Sequence, residues 1–179
     1  MAEVGERGWT AATIDGIAGR AGVSKPTIYR RWRSKDDLLH FVASRVVEVC
    51  DAPDTGDLRR DLLAIFRPMA EHLLDEHLGL ARLLPMLVAE ATHNAAIRDV
   101  VQEAAHQRRR PALDAIDRAV RRGDIPRRTD ADAVVDMIAG ALIYRLLILG
   151  EPIARATVDQ VVDQALRGAI RPDRPKKAT

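Results

Sequence analysis

The chain has 179 residues, of which 47% are apolar, 3% aromatic and 30% charged, with 28 basic and 26 acidic side chains. The single cysteine, Cys50, excludes an intramolecular disulfide and a zinc site built from several cysteines. The Ala-, Leu- and Arg-rich composition, with few runs of Val, Ile and Thr, favours an all-α fold. The first residues lack a cationic segment followed by an apolar one, so we expect no secretory signal and a cytoplasmic protein.

The first predicted helix follows Thr13, whose side chain suits the N-cap position. Apolar residues then recur with helical spacing at Ile14, Ile17, Ala18 and Ala21. Gly22 can adopt the left-handed conformation that ends a helix. Ser24 is expected to cap a second, short helix, in which Pro26 is tolerated because the first turn has unpaired N–H groups.

In this second helix, Ile28 and Trp32 lie four residues apart, so Trp32 is predicted to be a core residue and not a platform for base stacking. The outer faces would carry Lys25, Thr27, Tyr29, Arg30 and Arg31. From residue 20 to residue 35 there are six cations and no carboxylate. Such a local positive charge favours DNA, since each phosphate that is neutralised releases a counterion. The alternative interpretation is a solvated cationic face with no target.

A third helix is predicted after Ser34, with Asp36 and Asp37 in its first turn, where the helix dipole favours negative charge. The composition breaks at residues 51–56, and we place a domain boundary there. The predicted organisation is a DNA-binding domain at 1–50, a helical domain at 57–170 and a disordered tail at 171–179.

The second domain is again predicted to be helical, with helices at about 57–76, 78–90, 94–122, 130–150 and 154–170. Pro68 is expected to kink or break the first of these helices, Pro85 to interrupt the second and Pro111 to bend the third. Asp130 is the predicted N-cap of the fourth, and Arg121-Arg122-Gly123 is typical of a helix end.

The longest apolar run, from Met137 to Leu149, has 13 residues and includes Arg145, so it is too short and too polar to cross a bilayer of about 30 Å. A helix that is apolar on nearly all sides in so small a chain usually needs a second subunit to cover it. This run therefore predicts self-association.

The sequence does not favour an enzyme. It has no Gly-rich phosphate loop, no nucleophile-elbow pattern and no distinctive pair of carboxylates. No two histidines have the His-x-x-x-His spacing of a zinc site, so neither a metal nor a cofactor is expected. The cations of residues 108–110 could form a second nucleic-acid contact, but a solvated helix face is the favoured interpretation.

An ordered set of residues marks the first 50 positions: Gly8-Trp9, Thr13, Ile17-Ala18, Ala21-Gly22-Val23-Ser24, Thr27-Ile28-Tyr29, Ser34-Lys35 and Leu38-Leu39. On these residues the chain resembles the TetR family of bacterial transcriptional regulators. Residues 119–125 and 139–147 also look like the C-terminal domain of some members.

The resemblance implies an all-α homodimer with a helix-turn-helix head and a larger body that binds a small-molecule effector. The last two helices, near 131–149 and 154–170, would form a four-helix bundle across the dimer. Double-stranded operator DNA is the implied partner, with no membrane involved. Family heads begin with a full first helix, whereas this chain supplies only residues 1–7 there. A truncated first helix would leave the head less stable, and this is an expectation from the resemblance.

The predicted DNA-binding residues are Thr13, Ser24, Lys25, Pro26, Thr27, Tyr29, Arg30, Arg31 and Lys35. The N-terminal part of a recognition helix enters the major groove. Lys25 and Arg30 are candidates for guanine, Thr27 for a thymine methyl or a phosphate, and Tyr29 for a phosphate. By resemblance, Thr13, Thr27, Tyr29 and Lys35 match positions that commonly hold the DNA backbone.

An effector site would be apolar with a few polar groups. Its predicted residues are Phe66, Met69, Leu73, Leu83, Met86, Leu87, Glu90 and Tyr144, each of which could equally be plain core. The predicted function is a dimeric repressor that a small-molecule effector releases from a near-palindromic operator, although the sequence does not distinguish repression from activation. The alternatives are a sequence-nonspecific DNA-binding protein and a ligand-binding protein whose head no longer engages DNA.

Overall fold

A computed structural model describes residues 12–45, 53–74 and 80–169 of the chain. Every regular element within these ranges is a helix, which confirms the all-α fold. The elements are α1 (Ile14–Arg20), α2 (Lys25–Tyr29), α3 (Lys35–Arg45), α4 (Leu58–Leu74), α5 (Leu80–Ala91), α6 (Ala95–Arg122), α7 (Ala131–Tyr144), a π-helical turn (Arg145–Leu149) and α8 (Arg155–Ala169). None of the described helices combines the length and apolar character needed to cross a lipid bilayer.

The described residues form two compact units. One contains 12–45, 71–74 and 80–109, and the other contains 53–70 and 110–169, so α4 and α6 each contribute to both units. Residues 1–7, where the resemblance implies a truncated first helix, and the predicted tail, residues 171–179, lie outside the described residues. The division into domains at 1–50 and 57–170 stays a prediction.

Three of the predicted N-caps are confirmed. The side-chain oxygens of Thr13, Ser34 and Asp130 each accept a hydrogen bond, at 3.0 Å, from the backbone N–H three residues further along the chain. Each bond satisfies one of the N–H groups that the first turn of a helix leaves without a partner. The starts of α1, α3 and α7 are therefore determined by short-range side-chain chemistry.

Both predicted glycine helix ends are also confirmed. Gly22 and Gly123 have φ angles of 66° and 85°, in the left-handed region. At the first end, the Val23 N–H donates to the Ala18 carbonyl at 3.0 Å, and an equivalent bond of 3.0 Å follows Gly123. These long-reach bonds are the helix-ending motif that a glycine without a Cβ adopts most easily.

The prolines interrupt the helices less than expected. The predicted interruption at Pro85 is wrong, because α5 runs through that residue, and α4 runs unbroken through Pro68. An interior proline removes one backbone hydrogen bond. In α4, apolar burial offsets that loss, since Leu62 and Phe66 are at most 3% exposed. Helix α6 likewise continues through Pro111, and its bend stays a prediction.

Two arginine–aspartate pairs join α4 to α8. The Nε atom of Arg59 lies 2.6 Å from Oδ1 of Asp163, and Nη2 of Arg67 lies 2.6 Å from Oδ2 of Asp159. Each arginine also makes a second bond to its carboxylate, so both pairs are bidentate. Because the earlier arginine meets the later aspartate, the two helices are antiparallel.

These pairs predict an acid-dependent loss of stability. Hydrogen bonds from Arg67 and Arg59 lower the pKa values of Asp159 and Asp163 below their ordinary 3.8. A carboxyl group whose pKa is lowered by folding stabilises the fold above pH 3.8. This contribution is lost as the pH falls through the lowered pKa of the folded state. In thermal melts, D159N/D163N should melt a few degrees below the wild type at pH 7. The difference should shrink towards pH 3, and a difference independent of pH would contradict the prediction.

The segment before α4, residues 53–57, is held by side chains of its own unit. Asp61, which is fully buried, accepts hydrogen bonds from the Thr55 backbone N–H at 3.0 Å and from its hydroxyl at 2.6 Å. From α6, Arg118 donates to the Pro53 carbonyl at 3.1 Å and lies 3.9 Å from Oδ2 of Asp61. The entry into α4 is therefore anchored to α6 through a buried carboxylate.

Candidate nucleic-acid interface

Helices α1 and α2 pack together around a small apolar core in the first unit. The core consists of Ile14, Ala18, Ile28 and Leu38, with Ile17 and Trp32 partly buried against it. The prediction that Trp32 belongs to the core is therefore confirmed. A short helix of five residues is marginal by itself, so the contacts of Ile28 and Trp32 determine how α2 is presented.

Helix α2 and its C-cap carry five of the predicted contact residues, and we call Lys25, Pro26, Thr27, Tyr29 and Arg30 the α2 face. All five are exposed, and the exposed fraction of Tyr29 is 45%. The structure thus leaves these five residues accessible to a partner, whereas Ile28 among them is buried. Their participation in DNA binding stays a prediction.

The start of α2 differs from the expected cap. Ser24 occupies the N-cap position, but its hydroxyl makes no capping bond to the backbone. The hydroxyl lies 2.8 Å from the Thr27 hydroxyl, and either oxygen could be the donor. Pro26 leaves this turn with fewer N–H donors, so the two hydroxyls satisfy each other instead. One hydroxyl proton of the pair is then available to an outside acceptor such as a phosphate oxygen.

Arg30 and Arg31 do not lie within the recognition helix as expected. Helix α2 ends at Tyr29, Arg30 is its C-cap, and Arg31 belongs to the turn that follows. The reason is that the Arg31 N–H donates to the Ile28 carbonyl at 2.9 Å, which tightens the chain before α3 begins.

The Arg31 guanidinium lies against two aromatic rings. Its central carbon is 5.3 Å from the ring centroid of Trp32 and 5.6 Å from that of Phe41. The two rings are themselves 5.1 Å apart between centroids. This arrangement is a cation–π contact with both rings, so Arg31 helps to join the turn to α3. Only its outward N–H groups would be available to DNA.

The two backbone candidates outside α2 are placed at helix starts. Thr13 is exposed at the N-terminus of α1, where its hydroxyl oxygen accepts the capping bond and its proton can still be donated. Lys35 is the first residue of α3 and is half-buried. A helix start presents unpaired N–H groups that favour an anion.

The sequence interpretation missed Asp15. Its Oδ2 atom lies 2.9 Å from Nζ of Lys25, although both side chains are exposed. The hydrogen bond and charge of Asp15 raise the pKa of Lys25 above its ordinary value of 10.5. Asp15 precedes the run of six cations, so a count restricted to residues 20–35 could not include it. Its position in the first turn of the predicted helix, 10 residues before Lys25, is the signal that the sequence offers.

The predicted effector residues belong to both compact units. Phe66 and Leu87 are buried, Met69, Met86 and Glu90 are half-buried, and Tyr144 is 53% exposed. The side chains of Leu73 and Leu83 lie outside the described part of the structure. An effector site formed by these residues stays a prediction. In the described residues, no group of three or more His, Cys, Asp or Glu side chains is arranged to hold a metal ion.

The predicted fourth body helix changes form near its end and exposes an apolar surface. Helix α7 is followed by the π-helical turn and ends at Gly150, which has a φ of 65°. We call Met137, Tyr144, Ile148 and Leu149 the α7 stripe; their exposed fractions are 49%, 53%, 69% and 47%. The opposite side is buried, with Ile138 and Leu142 at 0%. The run is therefore not buried on all sides by its own chain.

The chain matches two known families along most of its length. Residues 1–42 match the family described as bacterial regulatory proteins, tetR family, and residues 52–165 match the tetracyclin repressor-like C-terminal domain. An uncharacterised helix-turn-helix transcriptional regulator of Mycobacterium tuberculosis is 33% identical over 167 residues, covering 90% of this chain and 79% of that protein. The DNA-binding transcriptional repressor TetR of Mycobacteroides abscessus is 31% identical over 175 residues, covering 92% and 86%.

A solved structure supports the same assignment. The TetR family transcription regulator SCO0332 is 31% identical, with a TM-score of 0.60, covering 94% of this chain and 92% of that one. These relatives are transcriptional regulators, in agreement with the expectation of a regulator and not an enzyme. The helix-turn-helix of α1 and α2, the helical body and both family matches lead to one conclusion: the chain belongs to the TetR family of DNA-binding transcriptional regulators.

Proposed function

We propose that this regulator is a homodimeric repressor that binds a near-palindromic operator through the α2 face and is released by a small-molecule effector. The observation that carries the proposal is the exposed α2 face, with Lys25, Thr27, Tyr29 and Arg30 accessible on a helix whose inner side is packed. The similarity to a DNA-binding transcriptional repressor supports repression over activation. Such a regulator would act in the cytoplasm.

The α7 stripe supports the homodimer. Burying an apolar side chain contributes about 1.5–3 kcal/mol, and the stripe leaves four large apolar side chains accessible. A twofold axis would place the same surface of a second copy against it, together with α8, which packs on α7. A dimer of this kind presents two recognition helices, and their separation must match about 34 Å or a multiple of it to enter successive major grooves.

Effector release requires only a difference in effector affinity between two states of the dimer. The match of residues 52–165 to a tetracyclin repressor-like C-terminal domain supports an effector-binding body. An effector that favours a head separation unsuited to the groove would lower operator affinity. Native mass spectrometry of the purified protein for a retained small molecule tests this part of the proposal.

Removing the Arg30 charge tests the α2 face. If Arg30 reads a guanine, the binding free energy of R30Q for the operator should be weaker by about 1–3 kcal/mol. If Arg30 binds a phosphate, the plot of log binding constant against log salt concentration should have a slope about 0.9 less steep. The operator is first located by footprinting the DNA that flanks the gene, and binding is then measured by fluorescence anisotropy across a salt series.

The matched control is R110Q, which removes the same charge from an exposed position on α6. We expect it to leave binding unchanged. Equal losses in R30Q and R110Q, together with a smeared footprint, would support sequence-nonspecific binding through overall charge. No footprint and no binding by the wild type would support a ligand-binding protein whose head no longer engages DNA.

A further inference from the structure

A carboxylate lies beside the amino group that the proposed DNA-binding surface places at the start of α2. Asp15 holds Lys25 at 2.9 Å, and the side-chain exposed fractions are 66% and 49%. Both charged groups are accessible to water, so neither requires the other to compensate for lost hydration. The pair therefore places a negative charge at the point where the head would approach a polyanion.

The carboxylate affects the two possible partners of Lys25 differently. A phosphate carries a full negative charge, so it is repelled by Asp15 and meets an ammonium whose charge is already compensated. The O6 and N7 acceptors of a guanine carry no net charge. A lysine ammonium has three N–H donors, so it can keep its bond to Asp15 and still donate to a guanine edge.

We propose that Asp15 is a specificity-determining residue, whose carboxylate suppresses phosphate binding by Lys25 and leaves it free to donate to a neutral base edge. This inference rests on the proposed DNA-binding role of the α2 face. Phosphate contacts are sequence-independent and supply most of the affinity for random DNA. Suppressing one phosphate contact lowers the affinity for random DNA more than the affinity for the operator. The ratio of operator affinity to nonspecific affinity therefore rises.

The test removes the charge of Asp15 and retains its shape. In D15N, Lys25 can neutralise one further phosphate. For a random-sequence duplex, the slope of log binding constant against log salt concentration should therefore become steeper by about 0.9. That slope corresponds to an additional loss of about 3.5-fold in affinity between 50 and 200 mM salt. At low salt, the affinity of D15N for the random duplex should rise. A second duplex is selected from a random library for tight binding to the wild type. The ratio of the affinity for the random duplex to the affinity for the selected duplex should move towards one in D15N.

Two further variants make the result specific. D114N removes one negative charge from an exposed position on α6, outside the proposed DNA-binding surface, and should leave the slope unchanged. In a K25Q background, D15N should also have no effect on the slope, since the residue acts through Lys25. Circular dichroism melts of each variant show whether a change in binding reflects a change in folding.

Three results would overturn the inference. An unchanged slope in D15N would show that Asp15 does not restrain Lys25. Weaker binding to the selected duplex alone would show that Asp15 itself accepts from a base, such as the cytosine N4 amino group. A lower melting temperature with weaker binding to both duplexes would assign Asp15 a structural role. Failure of the proposed DNA-binding face is distinguishable, because K25Q and R30Q would then both bind random DNA as the wild type does.

Discussion

Replacing Ile148 with glutamate should weaken the proposed dimer and, with it, the proposed binding to an operator. Ile148 is the most exposed residue of the α7 stripe, at 69%. A twofold interface contains two copies of each side chain, so I148E removes two apolar contacts and places two carboxylates in apolar surroundings. At about 1.5 kcal/mol or more per copy, the dimer should be weakened by about 3 kcal/mol, which corresponds to a dissociation constant raised about 100-fold.

Sedimentation velocity over a concentration series measures this change, and anisotropy with the footprinted operator measures its consequence. A single head reads only one half-site, so operator affinity should fall with dimer dissociation. The control is A96E, which adds the same charge at an exposed position in the first turn of α6, where a carboxylate suits the helix dipole. A dimer of unchanged stability in I148E would exclude the α7 stripe as the interface.

Replacing Asp61 with alanine should cause a large loss of folding stability. The carboxylate is fully buried and accepts two hydrogen bonds from Thr55. Its removal leaves the Thr55 N–H without its acceptor and leaves Arg118, whose side chain is 21% exposed, without a nearby buried charge. A hydrogen bond to a charged group contributes about 1.5–3 kcal/mol, so the loss of the two bonds should cost about 3 kcal/mol.

For a chain of this size, the melting temperature should therefore fall by about 6–12 °C in D61A. D61N should lose less, because an amide oxygen can still accept one bond from Thr55. The control D114A removes an exposed carboxylate from α6 and should change the stability by less than about 0.5 kcal/mol. Chemical unfolding of the three variants checks the order, and a D61A protein as stable as D114A would contradict the role given to this carboxylate.

Local chemistry made much of the helical framework predictable. The caps at Thr13, Ser34 and Asp130 and the helix ends at Gly22 and Gly123 involve residues at most five positions apart, so the sequence contains both partners of each bond. Helical spacing likewise indicated that Ile28 and Trp32 belong to the core, because side chains four residues apart share one face of a helix.

The prolines show where local rules were insufficient. The loss of one backbone bond at Pro85 or Pro68 is a local effect, and it predicts a break in the helix. At Pro68, the burial of Leu62 and Phe66 is a tertiary effect, and it outweighs the lost bond. Arg31 is a similar case, because nothing in the neighbouring sequence places its guanidinium on the Phe41 ring as well as on Trp32.

The sequence alone determined the helical class and the helix boundaries that caps and glycines set. Its ordered head residues also indicated a TetR-type regulator. Only the tertiary structure decided which charges meet. Asp15 and Lys25 are 10 residues apart, and Arg59 and Asp163 are 104 apart. An ion pair of this kind depends on how separate helices pack, which no short window of sequence specifies. For the same reason, only the packed structure showed which side of α7 is buried and which apolar side chains remain open to a partner.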